Sequence, residues 1–272
     1  MFENFKKEKI LNYLLRATAI IGFACTVSSA EMWASSQEKQ KLHVCTVASF
    51  QNHELDILRE SALAHGLEIE VAGMDRPLRN NLVKLYRMQE HLETLPTNDI
   101  VLFVDASDVL ILGNEDQIIE QYKKMNIPCL FSAEKRLYPK DPLAGLKVKY
   151  PVSDTSFRYL NSGCYIGEVT PLRLMISEIL SDRYNIPLTR FRRINNDQLH
   201  CHRFFAQNPW IAKIDTRNEI FLTLSEVKKE ELIIDDKEKS VRVIETGNKP
   251  LVIHANVSGK PLYEEIVKAL SD

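Results

Sequence analysis

The sequence carries no excess of positive charge. Lys plus Arg is 35 and Asp plus Glu is 37, a formal net charge of −2 in 272 residues. A nucleic-acid partner calls for a basic surface that replaces the counterions of phosphate, so none is expected here. Glycine (9) and proline (11) are scarce, which excludes a collagen-like repeat and leaves little low-complexity linker. No apolar run reaches the roughly 20 residues of a membrane-spanning helix. The five cysteines include no C-x-x-C pair, which argues against a structural zinc site. What is present is globular in character: 44% of residues are apolar and 26% are charged. The length suits one large domain or two small ones with a substantial core.

The first thirty residues differ from the rest. Lys6, Lys7 and Lys9 precede an apolar stretch that starts at Ile10, is broken by Asn12 and Arg16, and runs on from Ala17 to Ala30. Ser28-Ser29-Ala30 supplies the small residues that a signal peptidase reads. Residues 1–30 are therefore expected to be a signal peptide, and the alternative is an uncleaved anchor or membrane tether over 10–30. Either way the chain is expected in the secretory pathway or exported, with a membrane-anchored form as the alternative. Residues 31–272 are expected to form a single domain. Cys25 belongs to the leader, and Cys45, Cys129, Cys164 and Cys201 read as buried thiols acting as small hydrophobes.

Beyond the leader, strands and helices alternate. Leu42–Ser49, Leu67–Gly73, Ile100–Val104, Val109–Leu112 and Pro128–Ser132 read as strands. His53–His65, Asn81–Leu95 and Glu115–Met125 read as helices, with apolar residues at helical spacing. This order predicts an α/β fold with a mostly parallel central sheet covered by helices. The second half is irregular and mixed. Arg158–Gly167 reads as a strand, a tight turn at Asn161-Ser162-Gly163 and a second strand. Pro171–Leu180, Asn195–Ala206 and Leu262–Leu270 read as helices, Ile211–Ile214, Glu219–Leu224 and Leu251–Ala255 as strands, and Glu231–Glu245 as a hairpin. In such sheets ligands bind beyond the carboxyl ends of the strands, so the polar residues there carry the functional information.

Four groups stand out. Asp105-Ala106-Ser107-Asp108 follows the buried run Ile100–Val104 directly. Two close carboxylates at a strand end need a cation, and hard oxygen donors suit Mg²⁺ or Mn²⁺; a plain turn is the structural alternative. His254, with Asn256, ends another buried strand and is a candidate third ligand, otherwise a satisfied core histidine. Asn161-Ser162-Gly163 combines polar groups with a residue that permits close backbone approach. Asn195-Asn196-Asp197-Gln198 opens a helix, either as an N-cap or as a polar face for a substrate.

The order of these groups resembles a known family. Phe103-Val104-Asp105-Ala106-Ser107-Asp108-Val109, Phe131-Ser132-Ala133-Glu134, Tyr138-Pro139, Tyr159-Leu160-Asn161-Ser162-Gly163, Asp197-Gln198-Leu199 and Val252-Ile253-His254 occur in sequence. Together they are similar to the glycosyltransferase domain of procollagen lysyl hydroxylases and related collagen glycosyltransferases, from about His43 to about Leu262. The resemblance implies a GT-A-like fold and transfer of a hexose from a UDP-sugar to a protein or glycan hydroxyl, with Mn²⁺ (or Mg²⁺) as cofactor. It implies a metal site at Asp105, Asp108 and His254, and donor contacts from Thr46, Val47, Lys84, Ser107, Asn161, Ser162, Gly163 and Asn256. It also implies a catalytic role for Asp197, with Asn196 beside it. Asn195-Asn196 stands where the family is acidic, and Ala255 and Val257 replace two family glycines. These departures motivate an alternative: an exported, non-catalytic nucleotide- or sugar-binding protein on the same fold.

Overall fold

The structure is a computed structural model that describes residues 40–271 apart from 75, 79, 140–149 and 182–195. The leader at 1–30, with its signal or tether, and Asn195 lie outside the described residues. Among the described residues no helix is long and apolar enough to cross a membrane.

Strands β1 (Leu42–Val47) and β3 (Ile100–Val104) are buried along their whole length. Their unbroken apolar character follows from helices on both faces of the sheet. On one face Leu42, Val44, Ile100, Leu102 and Val104 pack against Leu55 and Leu58 of α1 (His53–Leu63). Ile118 and Tyr122 of α3 (Glu115–Met125) complete that layer. On the other face Cys45, Val101 and Phe103 meet Leu85, Met88 and Leu92 of α2 (Leu82–Leu92) and Met175 and Ile176 of α4 (Val169–Leu180). Helices α1 and α3 start where their sequences say they should. Asn52 caps α1 by accepting from the Leu55 N–H. Asn114 and Gln117 form a reciprocal capping box on α3, which satisfies amides that a helix start otherwise leaves unpaired.

The main sheet has six strands: β2 (Ile69–Ala72), β1, β3, β6 (Tyr159–Glu168), β5 (Cys129–Glu134) and β7 (Ala212–Asp215), in that spatial order. Neighbours are parallel except at β6, which runs against both β3 and β5. The expected mostly parallel sheet is therefore present with one reversed central strand. A second sheet joins β4 (Val109–Ile111), β11 (Val252–His254) and β8 (Phe221–Thr223). β9 (Leu232–Asp235) and β10 (Ser240–Val243) form the expected antiparallel hairpin. Helices α5 (Asp197–Gln207) and α6 (Lys260–Ser271) follow among the described residues, and the described residues from Gln40 onward belong to one compact unit. Cys45, Cys129, Cys164 and Cys201 are free and buried, as the apolar reading of those thiols required.

One expectation fails. Asn161-Ser162-Gly163 is not a turn between two strands but lies within the single strand β6. Phe131 pairs with Tyr165 while the next residue, Ser132, pairs with Asn161, so residues 162–164 form an irregularity in the β5–β6 ladder. On the other side Cys164 still pairs with Val104 of β3. Partners on both flanks hold β6 extended where its composition alone favours reversal, and the extra residues are accommodated as a bulge beside the site.

The core predicts a clear cost. Leu102 has no exposed surface, so Leu102→Ala is expected to cost about 2–5 kcal/mol. Thermal unfolding then shifts down by on the order of 10 °C; a shift within roughly 1 °C contradicts this core.

Candidate active site

Chain order puts four elements at one edge. β3 ends at Val104, so Asp105 emerges from the carboxyl end of the sheet beside β6. The Asp105 N–H donates to the Gly163 carbonyl at 2.8 Å. The chain turns through Asp108, whose φ of 60° is left-handed, a conformation that Asp tolerates better than most residues. It then enters β4, which pairs antiparallel with β11 so that His254 lies opposite Val109. This pairing, clamped by the Ala255 N–H donating to the Asp108 carbonyl at 2.7 Å, brings a residue from the far end of the sequence to the Asp-x-x-Asp turn. Lys84 reaches in from the first turn of α2, and Asp197 from the first residue of α5.

These groups converge. Lys84 Nζ lies 2.7 Å from Asp105 Oδ1 and 3.0 Å from Asp197 Oδ2. Burial works against the Lys84 ammonium, but Asp105 and Asp197 outweigh it and hold Lys84 protonated well above its ordinary range. Ser162 Oγ donates to Asp197 Oδ2 at 3.2 Å. Asn161 is the hub of the bulge. Its Oδ1 accepts from the Gly163 N–H at 2.9 Å, is contacted by Ser132 Oγ at 3.3 Å and lies 3.2 Å from His254 Nδ1. Because Asn161 Oδ1 can only accept, His254 carries its proton on Nδ1. Burial lowers the His254 pKa despite the nearby Asp105 charge, which favours the neutral ring, whose Nε2 then presents a lone pair.

That lone pair lies 3.8 Å from Asp105 Oδ2. Two acceptors face each other at a distance matching two ligands of one ion, which for bonds of about 2.1 Å are roughly 3–4 Å apart. Asp105 and His254 therefore fit a divalent ion. The carboxylate–imidazole donor set suits Mn²⁺ or Mg²⁺, and Asn161 fixes the tautomer as outer-shell partners of ligating histidines do. Asp108 is turned elsewhere: its Oδ1 is 3.1 Å from Lys260 Nζ, which also binds Glu54 at 3.0 Å. Burial raises the Asp108 pKa while Lys260 lowers it.

A cavity of about 980 Å³ opens over this edge. Val47, Lys84, Asp105, Ser107, Asp108, Asn161, Ser162, Gly163, Asn196, Asp197, His254 and Asn256 all line it. Thr46 does not share this position; it is fully buried and its hydroxyl donates to the Val104 carbonyl at 2.7 Å. Asn196 borders the cavity, but its Oδ1 caps α5 by accepting from the Leu199 N–H at 2.8 Å. Its side chain thus does the work of an N-cap.

Glu134 was missed as a site residue, although it ends β5 as Asp105 follows β3. It is 1% exposed and lines the cavity. Its oxygens accept from Gln198 Nε2 at 2.6 Å and Asn256 Nδ2 at 2.9 Å. Burial pushes the Glu134 pKa up to about 7, against those hydrogen bonds. A carboxylate at the end of a buried strand was the signal that could have found it. Asn256 Oδ1 is buried without a partner, an acceptor directed at no protein donor.

Two expectations follow. A Cβ on Gly163 would meet His254 Cε1 at 2.3 Å and Asp105 Oδ2 at 2.9 Å. Gly163→Ala is therefore expected to weaken divalent-ion binding at least tenfold by calorimetry while circular dichroism stays native; unchanged affinity contradicts the close approach. Glu134 holds its proton more tightly folded than unfolded, so its contribution to stability is greatest below about pH 4.5 and declines as pH rises towards 7. Compared with Glu134→Gln, the native chain should lose on the order of 2–4 kcal/mol across that window; parallel stability–pH curves contradict the assignment.

A family profile described as the PLOD GT domain matches residues 38–269. The chain is 26% identical over 240 residues to the procollagen-lysine,2-oxoglutarate 5-dioxygenase of Drosophila melanogaster, covering 82% of this chain and 31% of that protein. It is 23% identical over 259 residues to the human multifunctional procollagen lysine hydroxylase and glycosyltransferase LH3, covering 90% of this chain and 33% of that protein. The chain thus spans about a third of the length of these relatives. Among solved structures, it is similar to a glycosyltransferase involved in glycosylating the major capsid of PBCV-1, with a TM-score of 0.52 and 12% identity. That match covers 84% of this chain and 98% of the other, and it bears out the expected GT-A-like α/β fold. With the profile spanning nearly all described elements, the chain belongs to the family of PLOD glycosyltransferase domains.

Proposed function

We propose that the chain transfers a hexose from a UDP-sugar to a protein or glycan hydroxyl, with Mn²⁺ or Mg²⁺ as cofactor. The observation that carries this reading is the convergence of Asp105, His254, Lys84 and Asp197 at one end of the sheet, inside a cavity of about 980 Å³. Asp105 and His254 would hold the ion, joined by Asp108 once it leaves Lys260. Bound there, a divalent ion supplies charge that neutralises the leaving diphosphate without proton transfer.

The remaining work falls to side chains of this chain. Lys84 adds a fixed positive charge at the diphosphate end, where negative charge grows as the glycosidic bond breaks. Gly163 and Asn161 keep the His254–Asp105 edge open to the donor. At the sugar end, Asn256 Oδ1 offers an unused acceptor to a sugar hydroxyl, and Glu134 can accept or donate near neutrality. Val47 and Ser107 border the nucleotide side, with Ser107 too small to stack on a base. Asp197, held by Ser162 and Lys84, would take the acceptor's proton or stabilise the positive sugar carbon. The acceptor and the secretory or exported location are part of the same proposal, as is the reading of residues 31–272 as the working domain.

A second reading has one observation in its favour. Lys84 already ion-pairs with both Asp105 and Asp197, and Asn196 serves its helix rather than the cavity. A non-catalytic binding protein would need no more. The two readings separate on donor cleavage. With a panel of UDP-hexoses, the native chain should release UDP only when Mn²⁺ or Mg²⁺ is present. Asp105→Asn should lower that rate by about 10²-fold or more. Nucleotide binding without UDP release supports the binding protein, and an unaffected Asp105→Asn rate overturns the site.

A further inference from the structure

A second group of chemically reactive side chains lies outside the cavity, on the sheet face that α2 covers. Cys45 of β1 pairs in register with Glu70 of β2, so the two side chains stand together on one face. His91, in the last turn of α2, closes over them. The Cys45 sulfur, a Glu70 oxygen and a His91 ring nitrogen lie within 4.8 Å of one another. Cys45 is fully buried, whereas the side chains of His91 and Glu70 are 21% and 30% exposed. The mechanism above uses none of the three.

We propose that Cys45, Glu70 and His91 bind a single divalent ion with zinc's ligand preferences, leaving a fourth position for water. The donor set carries the choice of ion. A thiolate, an imidazole and one carboxylate suit zinc, whereas the all-oxygen preference of Mg²⁺ is poorly met. The surroundings are those of a supported ligand. Glu70 Oε2 and His91 Nε2 are 2.9 Å apart, a hydrogen bond that the ion would replace, and the other Glu70 oxygen is held from outside by His43 Nδ1 at 2.7 Å. His43 is fixed in turn by Asp99 Oδ2 at 2.9 Å from its Nε2, and Asp99 Oδ1 accepts from the Lys41 N–H at 3.1 Å. Ligating carboxylates are characteristically oriented by such a second layer of hydrogen bonds. The partial exposure of His91 and Glu70 gives an entry path.

Without an ion, burial and the Glu70 charge keep Cys45 a thiol. Binding releases the thiol proton to solvent and requires His91 Nε2 to be unprotonated, so uptake strengthens as pH rises. The site is independent of the transferase reading, because it shares no residue with the cavity.

The test uses the full chain titrated with Zn²⁺ against a chromophoric chelator, and with Co²⁺ followed by absorption. The native chain should bind Zn²⁺ at this site and show a thiolate-to-cobalt charge-transfer band. Cys45→Ser should remove the band. His91→Gln, at a partly exposed helix position outside the apolar core, should weaken Zn²⁺ binding at least tenfold. The double variant Asp105→Asn/His254→Gln should keep the band. No thiolate band in the folded native chain, or a band and Zn²⁺ affinity unchanged by His91→Gln, overturns the proposal.

Discussion

Negative charge at the end of a buried sheet is the constraint on which the site depends. Asp105 emerges where apolar strands stop, and Asp197 is 5% exposed. Carboxylates so placed lose much of their hydration and must be compensated. Lys84 meets both of them, and its own burial is tolerable only because they are there. The triad links α2, the end of β3 and the start of α5. Removing Lys84 would leave two carboxylates without their shared cation, which is costlier than losing an exposed ion pair. The same arrangement explains why the site is poised for a cation: Asp105 gives one oxygen to Lys84 and turns the other towards the lone pair of His254.

The second organising feature is the irregularity in β6. Any residue with a Cβ in place of Gly163 would overlap His254 and Asp105 there. The bulge also turns Asn161 so that one amide oxygen reaches the Gly163 amide, Ser132 and His254. Backbone irregularity, histidine tautomer and carboxylate position are thus one connected arrangement. Opposite it, Asp108 is paired with Lys260, which it shares with Glu54, an ion-paired position that it would exchange for the ion.

Much of the fold was legible because its central strands are buried on both faces. Ile100–Val104 reads as a strand from its five consecutive apolar residues, and Glu115–Met125 has its bounds written in Asn114 and in the helical spacing of Ile118, Ile119 and Tyr122. The strand-end residues Asp105 and His254 were legible for the same reason: a polar group after a buried run has few other places to go. What could not be read was set by tertiary partners. Asn161-Ser162-Gly163 has the composition of a turn and becomes a bulge because β3 and β5 grip both sides of β6. The role of Asn196 depends on where α5 starts, that of Thr46 on which way its hydroxyl faces, and that of Glu134 on Gln198 and Asn256, remote in sequence. The pairing of Asp108 with Lys260 joins residues whose proximity only the β4–β11 pairing creates.

The central claim is that the nucleotide and the divalent ion share one site built on Asp105 and His254. The most direct measurement is the thermal midpoint of the chain with UDP and Mn²⁺, each alone and both together. A ligand at about 100 times its dissociation constant stabilises by roughly 2.7 kcal/mol, which for a chain of this size is a rise of very roughly 5–10 °C. The account predicts that rise only when both are present, and its loss in His254→Ala. A full rise with UDP alone, or a joint rise that survives His254→Ala, would contradict it.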